Sequence, residues 1–149
     1  MVAAAGVRPG QLVLDIGAGE GALTAHLVRA GARVVAVELN PRRASVLRER
    51  FPGITVVHAD ATSIRLPGRP FRVVASPPYG ISSSLLRKLL APESRLVAAD
   101  LVLQRAVVRK HASAAARGFS MTVGLTLPRR AFVPPPAVDS AVLVVRRRR

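Results

Sequence analysis

The chain has no cysteine, few acidic residues and no long apolar run, and each of these absences excludes a class of protein. Without cysteine it can form no disulfide, thiolate metal site or cysteine nucleophile. No apolar run approaches the roughly 20 residues that a membrane-spanning helix needs. The N-terminus lacks the charged start and long apolar core of a secretory signal. No two of the 3 histidines lie at metal-ligand spacing. We therefore expect a cytoplasmic protein with no membrane attachment and no metal.

Basic residues outnumber acidic ones by 23 to 8, which leaves a formal net charge of +15. Such an excess favours a polyanionic partner, which can be RNA, DNA or an anionic membrane surface. The alternative is an arginine-rich composition that follows from a GC-rich genome, and the abundant alanine, valine, glycine and proline fit it. Compositional drift alone does not make the charge so one-sided. The sequence therefore predicts contact with nucleic acid.

The 149 residues suit one domain that buries roughly 70% of its unfolded surface, and no repeat or linker divides them. Apolar runs predict strands over residues 12–16, 33–39, 54–59, 71–75 and 96–103. Helical patterns cover residues 21–30, 41–50 and 82–90. This alternation predicts an α/β fold, a doubly wound and mostly parallel sheet with helices on both faces. Ligand-binding loops of such a sheet lie at the carboxyl ends of its strands.

The pattern changes after residue 103. Residues 104–117 read as a helix that ends at Gly118. Strands over 121–127 and 140–146 then flank prolines 134–136, which belong in a loop because proline does not fit a central strand. With no helix between them, these two strands should pair antiparallel at the edge of the sheet.

Several charged residues in this second half have open interpretations. Asp100 lies within an apolar strand and needs a partner, because burying an unpaired charge is costly. The arginines at 146–149 are expected to lie in solvent. Four basic residues recur near helical spacing and form either an RNA-facing stripe or a plain solvated face. They are Arg105, Arg109, Lys110 and Arg117.

Residues 12–23 contain a short apolar run, an acid and three closely spaced glycines at 17, 19 and 21. This order predicts a buried strand, a tight turn and the start of a helix. Glycine lets the backbone turn sharply and approach a ligand without a Cβ in the way. Ala22 completes the looser dinucleotide-binding pattern. The run alone is weak evidence for a nucleoside cofactor, and the residues at the ends of the next strands strengthen it.

Acidic residues follow at the ends of the second and third predicted strands. Glu38 lies 19 positions after Gly19 and can accept hydrogen bonds from both hydroxyls of an adenosine ribose. Alternatively it caps the helix that starts at residues 40–41. Asp60, followed by Ala61, can accept from the exocyclic amine of adenine, or can cap the turn at 61–64. Both roles of Asp60 are compatible.

The fourth predicted strand ends in Ser76-Pro77-Pro78-Tyr79. Two prolines hold the backbone extended and leave carbonyls with no local donors beside them. Such a loop can aim a carbonyl and a polar side chain at one amino group. Tyr79 adds a flat face on which a base can stack, worth on the order of 1–3 kcal/mol.

This combination resembles the S-adenosylmethionine-dependent methyltransferases that act on an amino group of a base, whose loop reads Asn/Asp/Ser-Pro-Pro-Tyr/Phe. More narrowly, residues 76–83, 103–104 and 132–142 resemble the ribosomal RNA adenine N6-methyltransferases. That family includes the Erm enzymes of macrolide–lincosamide–streptogramin B resistance and the small-subunit dimethyladenosine transferases. The resemblance extends over about residues 10–146 and is nearer to the large-subunit resistance branch. It implies a Rossmann-like methyltransferase fold with S-adenosylmethionine as cofactor and ribosomal RNA as partner.

By position, the resemblance implies a role for each matching residue. The cofactor-binding set is Gly17, Gly19, Gly21, Glu38, Asp60, Ala61 and Ser76. The catalytic set is Ser76, Pro77 and Tyr79. Pro77 is expected to supply the carbonyl that accepts from the target amine, and Tyr79 to stack on a flipped adenine.

The chain departs from the family pattern in three places. Ser76 stands where most members have asparagine, and its shorter side chain reaches less far toward the target N6. The family's N-terminal segment, which closes over the cofactor, and its C-terminal helical domain are both expected to be absent, which leaves a single catalytic domain over 1–149. We also expect a monomer.

The predicted function is transfer of a methyl group from S-adenosylmethionine to N6 of an adenosine in ribosomal RNA, with 23S RNA and macrolide–lincosamide–streptogramin B resistance as its finer form. An RNA-binding or ribosome-assembly factor of the same fold, with weak or lost methylation, is the alternative. Titration with the cofactor distinguishes the two. A nicotinamide oxidoreductase would explain the glycines and Glu38 but gives no role to the Ser-Pro-Pro-Tyr loop.

Overall fold

A seven-stranded sheet forms the centre of the molecule. The computed structural model describes residues 1–114, 116–132 and 134–148. The strands are β1 Leu12–Ile16, β2 Arg33–Glu38, β3 Thr55–His58, β4 Phe71–Ala75, β5 Leu96–Gln104, β6 Phe119–Leu127 and β7 Ser140–Arg147. Their order across the sheet is β3-β2-β1-β4-β5-β7-β6. Strands β1 to β5 run parallel to one another, whereas β7 is antiparallel to both β5 and β6. The predicted mostly parallel sheet with an antiparallel edge hairpin is confirmed.

Helices cover both faces of the sheet, which confirms the predicted layers. They are α1 Val2–Ala5, α2 Ala22–Arg29, α3 Pro41–Arg50, α4 Ser82–Leu89 and α5 Arg105–Ala112. Successive strand residues point to opposite faces, so Val13 packs in one buried cluster with Leu27 of α2. Leu14 packs in another cluster with Leu85 of α4 and Val108 of α5. Helices α1, α2 and α3 therefore lie on one face, and α4 and α5 on the other.

Helix α5 is shorter than the predicted helix over 104–117. It ends at Ala112, and the hydroxyl of Ser113, the next residue, donates to the Lys110 carbonyl at 3.0 Å in the last turn. Gly118 adopts a left-handed conformation with φ of 81°, but it leads into β6 rather than ending the helix. Ala115, within the predicted helix, lies outside the described residues.

Asp100 has the partner that the sequence required. It is 3% exposed and forms a two-point ion pair with Arg146, with one contact at 2.8 Å. Arg147 donates to the Leu96 carbonyl at 2.7 Å and lies 4.5 Å over the ring of Phe119. The prediction of a solvated arginine run was therefore wrong for Arg146, which is half-buried because β7 is an inner strand whose end lies against β5 and β6. Arg147 is exposed as predicted, although its guanidinium is bonded. Arg149 lies outside the described residues. Across the described ranges, no helix is long and apolar enough to cross a membrane.

Candidate active site

The turn after β1 brings the predicted glycines against the loop after β4. All three glycines have positive φ, at 74° for Gly17, 60° for Gly19 and 99° for Gly21. A Cβ on Gly17 would lie 2.9 Å from the Pro78 ring and 3.3 Å from the Pro77 Cα. Contacts this short exclude a larger residue. The sequence predicted the close approach of a ligand at these glycines, whereas the group packed against Gly17 in the structure is the Ser-Pro-Pro-Tyr loop.

Glu38, at the end of β2, holds the same turn from its other side. Its side chain is 7% exposed, and its carboxylate accepts from the backbone amides of Gly19 and Asn40, both at 2.8 Å. The cap of α3 is the side chain of Asn40, which accepts from Arg42 and Arg43. The alternative role predicted for Glu38 was to cap α3. Its only contact near that helix among the described residues is with the amide of Asn40, which precedes the first residue of α3. A carboxylate offers about four acceptor positions, so Glu38 has capacity for further donors.

Asp60 follows β3 and is fully exposed. Its Oδ1 accepts from the Thr62 backbone amide at 2.9 Å and from the Thr62 hydroxyl at 2.8 Å. These hydrogen bonds hold the pKa of Asp60 below its ordinary value. The local turn that the sequence offered as an alternative therefore exists. Oδ2 has no hydrogen-bond partner among the described residues, so the same carboxylate can also accept from a ligand.

The loop after β4 leaves the Pro77 carbonyl without a hydrogen bond among the described residues. The Pro78 carbonyl accepts from the amide of Ile81 at 3.2 Å, as the chain enters a short 3₁₀ turn at Tyr79–Ile81. The Pro77 carbonyl accepts no hydrogen bond within the part of the chain that the structure describes. The sequence predicted free carbonyls beside the prolines, and the candidate for an accepting group is the one at Pro77. Ser76 is exposed beside it.

Tyr79 is half-buried, and its hydroxyl forms a hydrogen bond with the hydroxyl of Ser140 at the start of β7. Ser140 is 0% exposed. The two residues are 61 positions apart, so no local pattern could reveal this pair. The role predicted for Tyr79, stacking on a base, needs only the face of its ring, whereas the structure also shows a buried partner for its hydroxyl.

One cavity of about 510 Å³ joins most of the predicted site residues. Those that line it are Gly17, Glu38, Asp60, Ala61, Ser76, Pro77 and Tyr79. Gly19 and Gly21 do not line it. Gly19 is bonded to Glu38, and a Cβ on Gly21 would lie 2.5 Å from the Phe51 ring, so these two glycines shape the turn from behind. The volume is within the usual range for small-molecule sites, about 300–1,000 Å³.

Phe132 also lines this cavity, and the sequence analysis gave it no role. It belongs to the 132–142 stretch that carries the family resemblance, which is the signal that could have identified it. Among the described lining residues, Tyr79 and Phe132 are the two aromatic side chains. Val133, next in that stretch, lies outside the described residues.

Asp15 lies in β1, two residues before Gly17, and no function was predicted for it from the sequence. It is 1% exposed and accepts from the Thr24 hydroxyl at 2.7 Å. Burial raises its pKa to about 6, the Thr24 hydrogen bond lowers it, and the nearby Glu38 carboxylate raises it. The hydrogen bond between Asp15 and Thr24 therefore links β1 to α2.

A second hollow of about 540 Å³ adjoins the first and is strongly basic. Arg105, Arg109 and Arg129 line it, together with Asp139. The proline-rich loop separates the two cavities, because Pro136 lines the first whereas the next two residues line the second. Lys110 and Arg117, the other members of the predicted stripe, do not line it. Across the described ranges, no three His, Asp or Glu side chains could hold a metal ion.

Comparison with known proteins gives one family. The family model for ribosomal RNA adenine dimethylase matches residues 1–149. The mycinamicin-resistance protein MyrB of Micromonospora griseorubida is 37% identical over 91% of this chain and 47% of its own length. The probable ribosomal RNA small subunit methyltransferase A of Methanopyrus kandleri is 38% identical over 96% of this chain and 56% of its own.

A solved structure gives the same result. The crystal structure of the 23S rRNA methyltransferase ErmE superposes with a TM-score of 0.87 at 35% identity, covering 98% of this chain and 65% of that one. The chain thus spans about half the length of the two curated relatives above.

Proposed function

The chain belongs to the ribosomal RNA adenine dimethylase family, and from that membership we propose that it binds S-adenosylmethionine and methylates N6 of an adenosine in ribosomal RNA. One observation carries the proposal. The 510 Å³ cavity joins the acids at the ends of β2 and β3 to the Ser-Pro-Pro-Tyr loop at the end of β4. A cofactor with a ribose and a base can therefore lie beside the loop that receives the amino group.

The residues in the cavity fit S-adenosylmethionine. Glu38 has acceptor positions left for the ribose hydroxyls after its two amide contacts. Asp60 has Oδ2 free among the described residues for the exocyclic amine of adenine. Ala61, 9% exposed, lines the cavity next to it. Gly17 also lines the cavity and, because it has no side chain, lets the loop with Ser76 and Pro77 pack close beside it.

When bound, the cofactor would supply a methyl group already activated by its sulfonium: the N6–C bond would form as the S–C bond breaks, and the proton released from N6 would pass to solvent water. The protein must therefore direct the N6 lone pair, which is delocalised into the adenine ring. The Pro77 carbonyl and the Ser76 hydroxyl can accept from the N6 hydrogens and localise that lone pair. No nucleophilic side chain or metal is needed for this step, and the contribution of the protein is positioning and electrostatic stabilisation.

The target adenine has to leave its stack to reach the cavity, as in other enzymes that modify bases. Tyr79 and Phe132 present the ring surface on which it can stack. The phosphates of the same strand remain outside. The adjoining hollow with Arg105, Arg109 and Arg129 lies across one loop from the cavity, where it can receive them. The net charge of +15 supports the same partner.

We propose 23S ribosomal RNA as the substrate and macrolide–lincosamide–streptogramin B resistance as the outcome. MyrB is named for mycinamicin resistance, and ErmE is named a 23S rRNA methyltransferase. A relative of similar identity is named for the small subunit, so small-subunit RNA is the second candidate substrate. An RNA-binding factor without methylation is the second candidate function, and Ser76 in place of asparagine is the observation that favours it.

The test is incubation of the protein with methyl-labelled S-adenosylmethionine and, separately, with unmodified large-subunit and small-subunit ribosomal RNA. We expect label in the large-subunit RNA, at N6 of adenosine after nuclease digestion. Label in the small-subunit RNA alone would reassign the substrate. If both RNAs bind and neither is labelled while the cofactor binds, the methyltransferase proposal fails and the RNA-binding alternative stands.

A further inference from the structure

Ser140 takes no part in the proposed chemistry, but its hydroxyl contacts Tyr79, which does. Its side chain is fully buried at the first residue of β7, and its hydroxyl pairs with the hydroxyl of Tyr79. Within the described part of the chain, this is its only side-chain hydrogen bond. Leaving a buried hydroxyl without a partner is unfavourable, so the pair restrains the position of the Tyr79 hydroxyl and the direction of its ring axis.

Asp139 makes the equivalent contacts one residue earlier. Its Oδ1 accepts from the backbone amide of Arg129 at 2.7 Å, and its backbone carbonyl accepts from the amide of Arg105 at 3.0 Å. Arg129 begins the 3₁₀ turn Arg129–Ala131, and the amide of Phe132 donates back to its carbonyl at 3.2 Å. Asp139 therefore anchors the turn that carries Phe132 into the cavity.

Two adjacent residues thus restrain the two aromatic side chains of the cavity. Tyr79 and Phe132 come from loops that are far apart in the sequence, and both loops carry exposed residues. The start of β7 is held in the sheet by pairing with Gln104 of β5. Both loops are therefore hydrogen-bonded to residues 139 and 140 at the start of the same sheet strand.

We propose that Asp139 and Ser140 are positioning residues that fix Tyr79 and Phe132 relative to one another and so shape the space that receives the target adenine. The expected effect of these two residues on catalysis rests on the proposed function. Their expected effect on the positions of the two rings does not. A displacement of about 1 Å at a reacting site can cost on the order of a hundredfold in rate. Neither residue lines the cavity, so each acts through its partner.

The ring of Tyr79 can be observed directly, because it is the only tyrosine of the chain. With ring-labelled tyrosine, the NMR spectrum of the protein contains the signals of this residue alone. We expect changed ring shifts and faster ring motion in Ser140→Ala, and wild-type signals in the control Ser94→Ala. Ser94 is a buried serine before β5, at the opposite edge of the sheet, where its hydroxyl accepts from Leu96. Unchanged Tyr79 signals in a folded Ser140→Ala protein would overturn the inference, whether or not the wild type methylates RNA.

A double-mutant cycle tests whether the two hydroxyls act through each other. Tyr79→Phe leaves the buried Ser140 hydroxyl without a partner and should lower the melting temperature. Adding Ser140→Ala removes that unpaired hydroxyl, so the double variant should recover stability relative to Tyr79→Phe. Strictly additive losses would show that the hydroxyls are independent and would refute the pair.

Methylation kinetics test the catalytic consequence. Ser140→Ala should lower the single-turnover rate by about tenfold, while S-adenosylmethionine affinity and KM for RNA change less than about twofold. Asp139→Ala should behave alike, and Asp139→Asn should retain most of the rate because the amide oxygen can still accept from Arg129. Equal losses of rate and cofactor affinity would indicate general destabilisation instead. If the rings respond but wild type transfers no methyl group, the proposed function fails while the positioning contacts stand.

Discussion

The carboxylate of Glu38 accepts a hydrogen bond from the backbone amide of Gly19 at 2.8 Å, so the acid at the end of β2 holds the glycine turn at the end of β1. The sequence predicted both residues as parts of a cofactor site, but not this contact between them. A ligand group bound by Glu38 is thereby coupled to the conformation of the turn. Substitutions of Glu38 should therefore affect both binding and the turn.

We expect Glu38→Ala to weaken S-adenosylmethionine binding by about 1.5–3 kcal/mol, the value for hydrogen bonds to a charged group. Glu38→Gln should lose less, because its amide oxygen can still accept from Gly19. Calorimetric titration gives the affinities, and thermal unfolding of the same proteins shows how much of the loss comes from the turn. Unchanged affinity in a folded Glu38→Ala protein would place the cofactor elsewhere.

Stability should depend on pH through Asp15. Its folded-state pKa is raised to about 6 from 3.8, so the folded protein binds this proton more tightly than the unfolded chain does. The resulting stabilisation is complete below about pH 4 and is lost as the pH rises through about 6. The free energy of unfolding should therefore fall by a few kcal/mol across that interval.

Two variants isolate the Asp15 contribution in urea titrations between about pH 4 and about pH 8. Asp15→Asn cannot ionise and should remove this part of the decline, while its amide oxygen can still accept from Thr24. Thr24→Val removes the hydrogen bond that lowers the pKa of Asp15, so the decline should extend to higher pH. Identical pH profiles for wild type and Asp15→Asn would contradict the assignment.

RNA affinity should fall steeply with salt concentration. Each phosphate contact adds about 0.7 to 0.9 to the magnitude of the slope of log affinity against log salt. The double variant Arg105→Gln, Arg109→Gln should lower that magnitude by the contribution of up to about two contacts. The matched control neutralises Arg29 and Arg48, which are exposed on α2 and α3 away from the basic hollow. Equal slopes for both double variants would show that the charge acts without a preferred surface.

Features encoded by local pattern were predictable from the sequence. The apolar runs predicted β1 before Gly17 and β2 up to Glu38, and placed Asp60 at the end of the third strand, where β3 in fact ends at His58, two residues earlier. Parallel topology brings these strand ends to one edge of the sheet. Contacts between distant residues leave no such pattern. Three features depend on tertiary packing: the position of β7 between β5 and β6, the pairing of Tyr79 with Ser140, and the placement of the Arg147 guanidinium over the Phe119 ring.

The loop residue Ser76 gives the last prediction. It lines the cavity beside the free Pro77 carbonyl, in the place where most family members have asparagine. Ser76→Asn should raise the methylation rate, because an amide oxygen reaches further toward the target N6 than a hydroxyl does. Ser76→Ala should lower the rate by removing one of the two acceptors, with S-adenosylmethionine affinity little changed.

Single-turnover methylation, cofactor titration and melting temperature are measured on both variants. Since Ser76 is exposed, neither change should lower stability much. A slower Ser76→Asn enzyme with normal stability and cofactor binding would show that the amine approaches from a direction that only the shorter side chain allows.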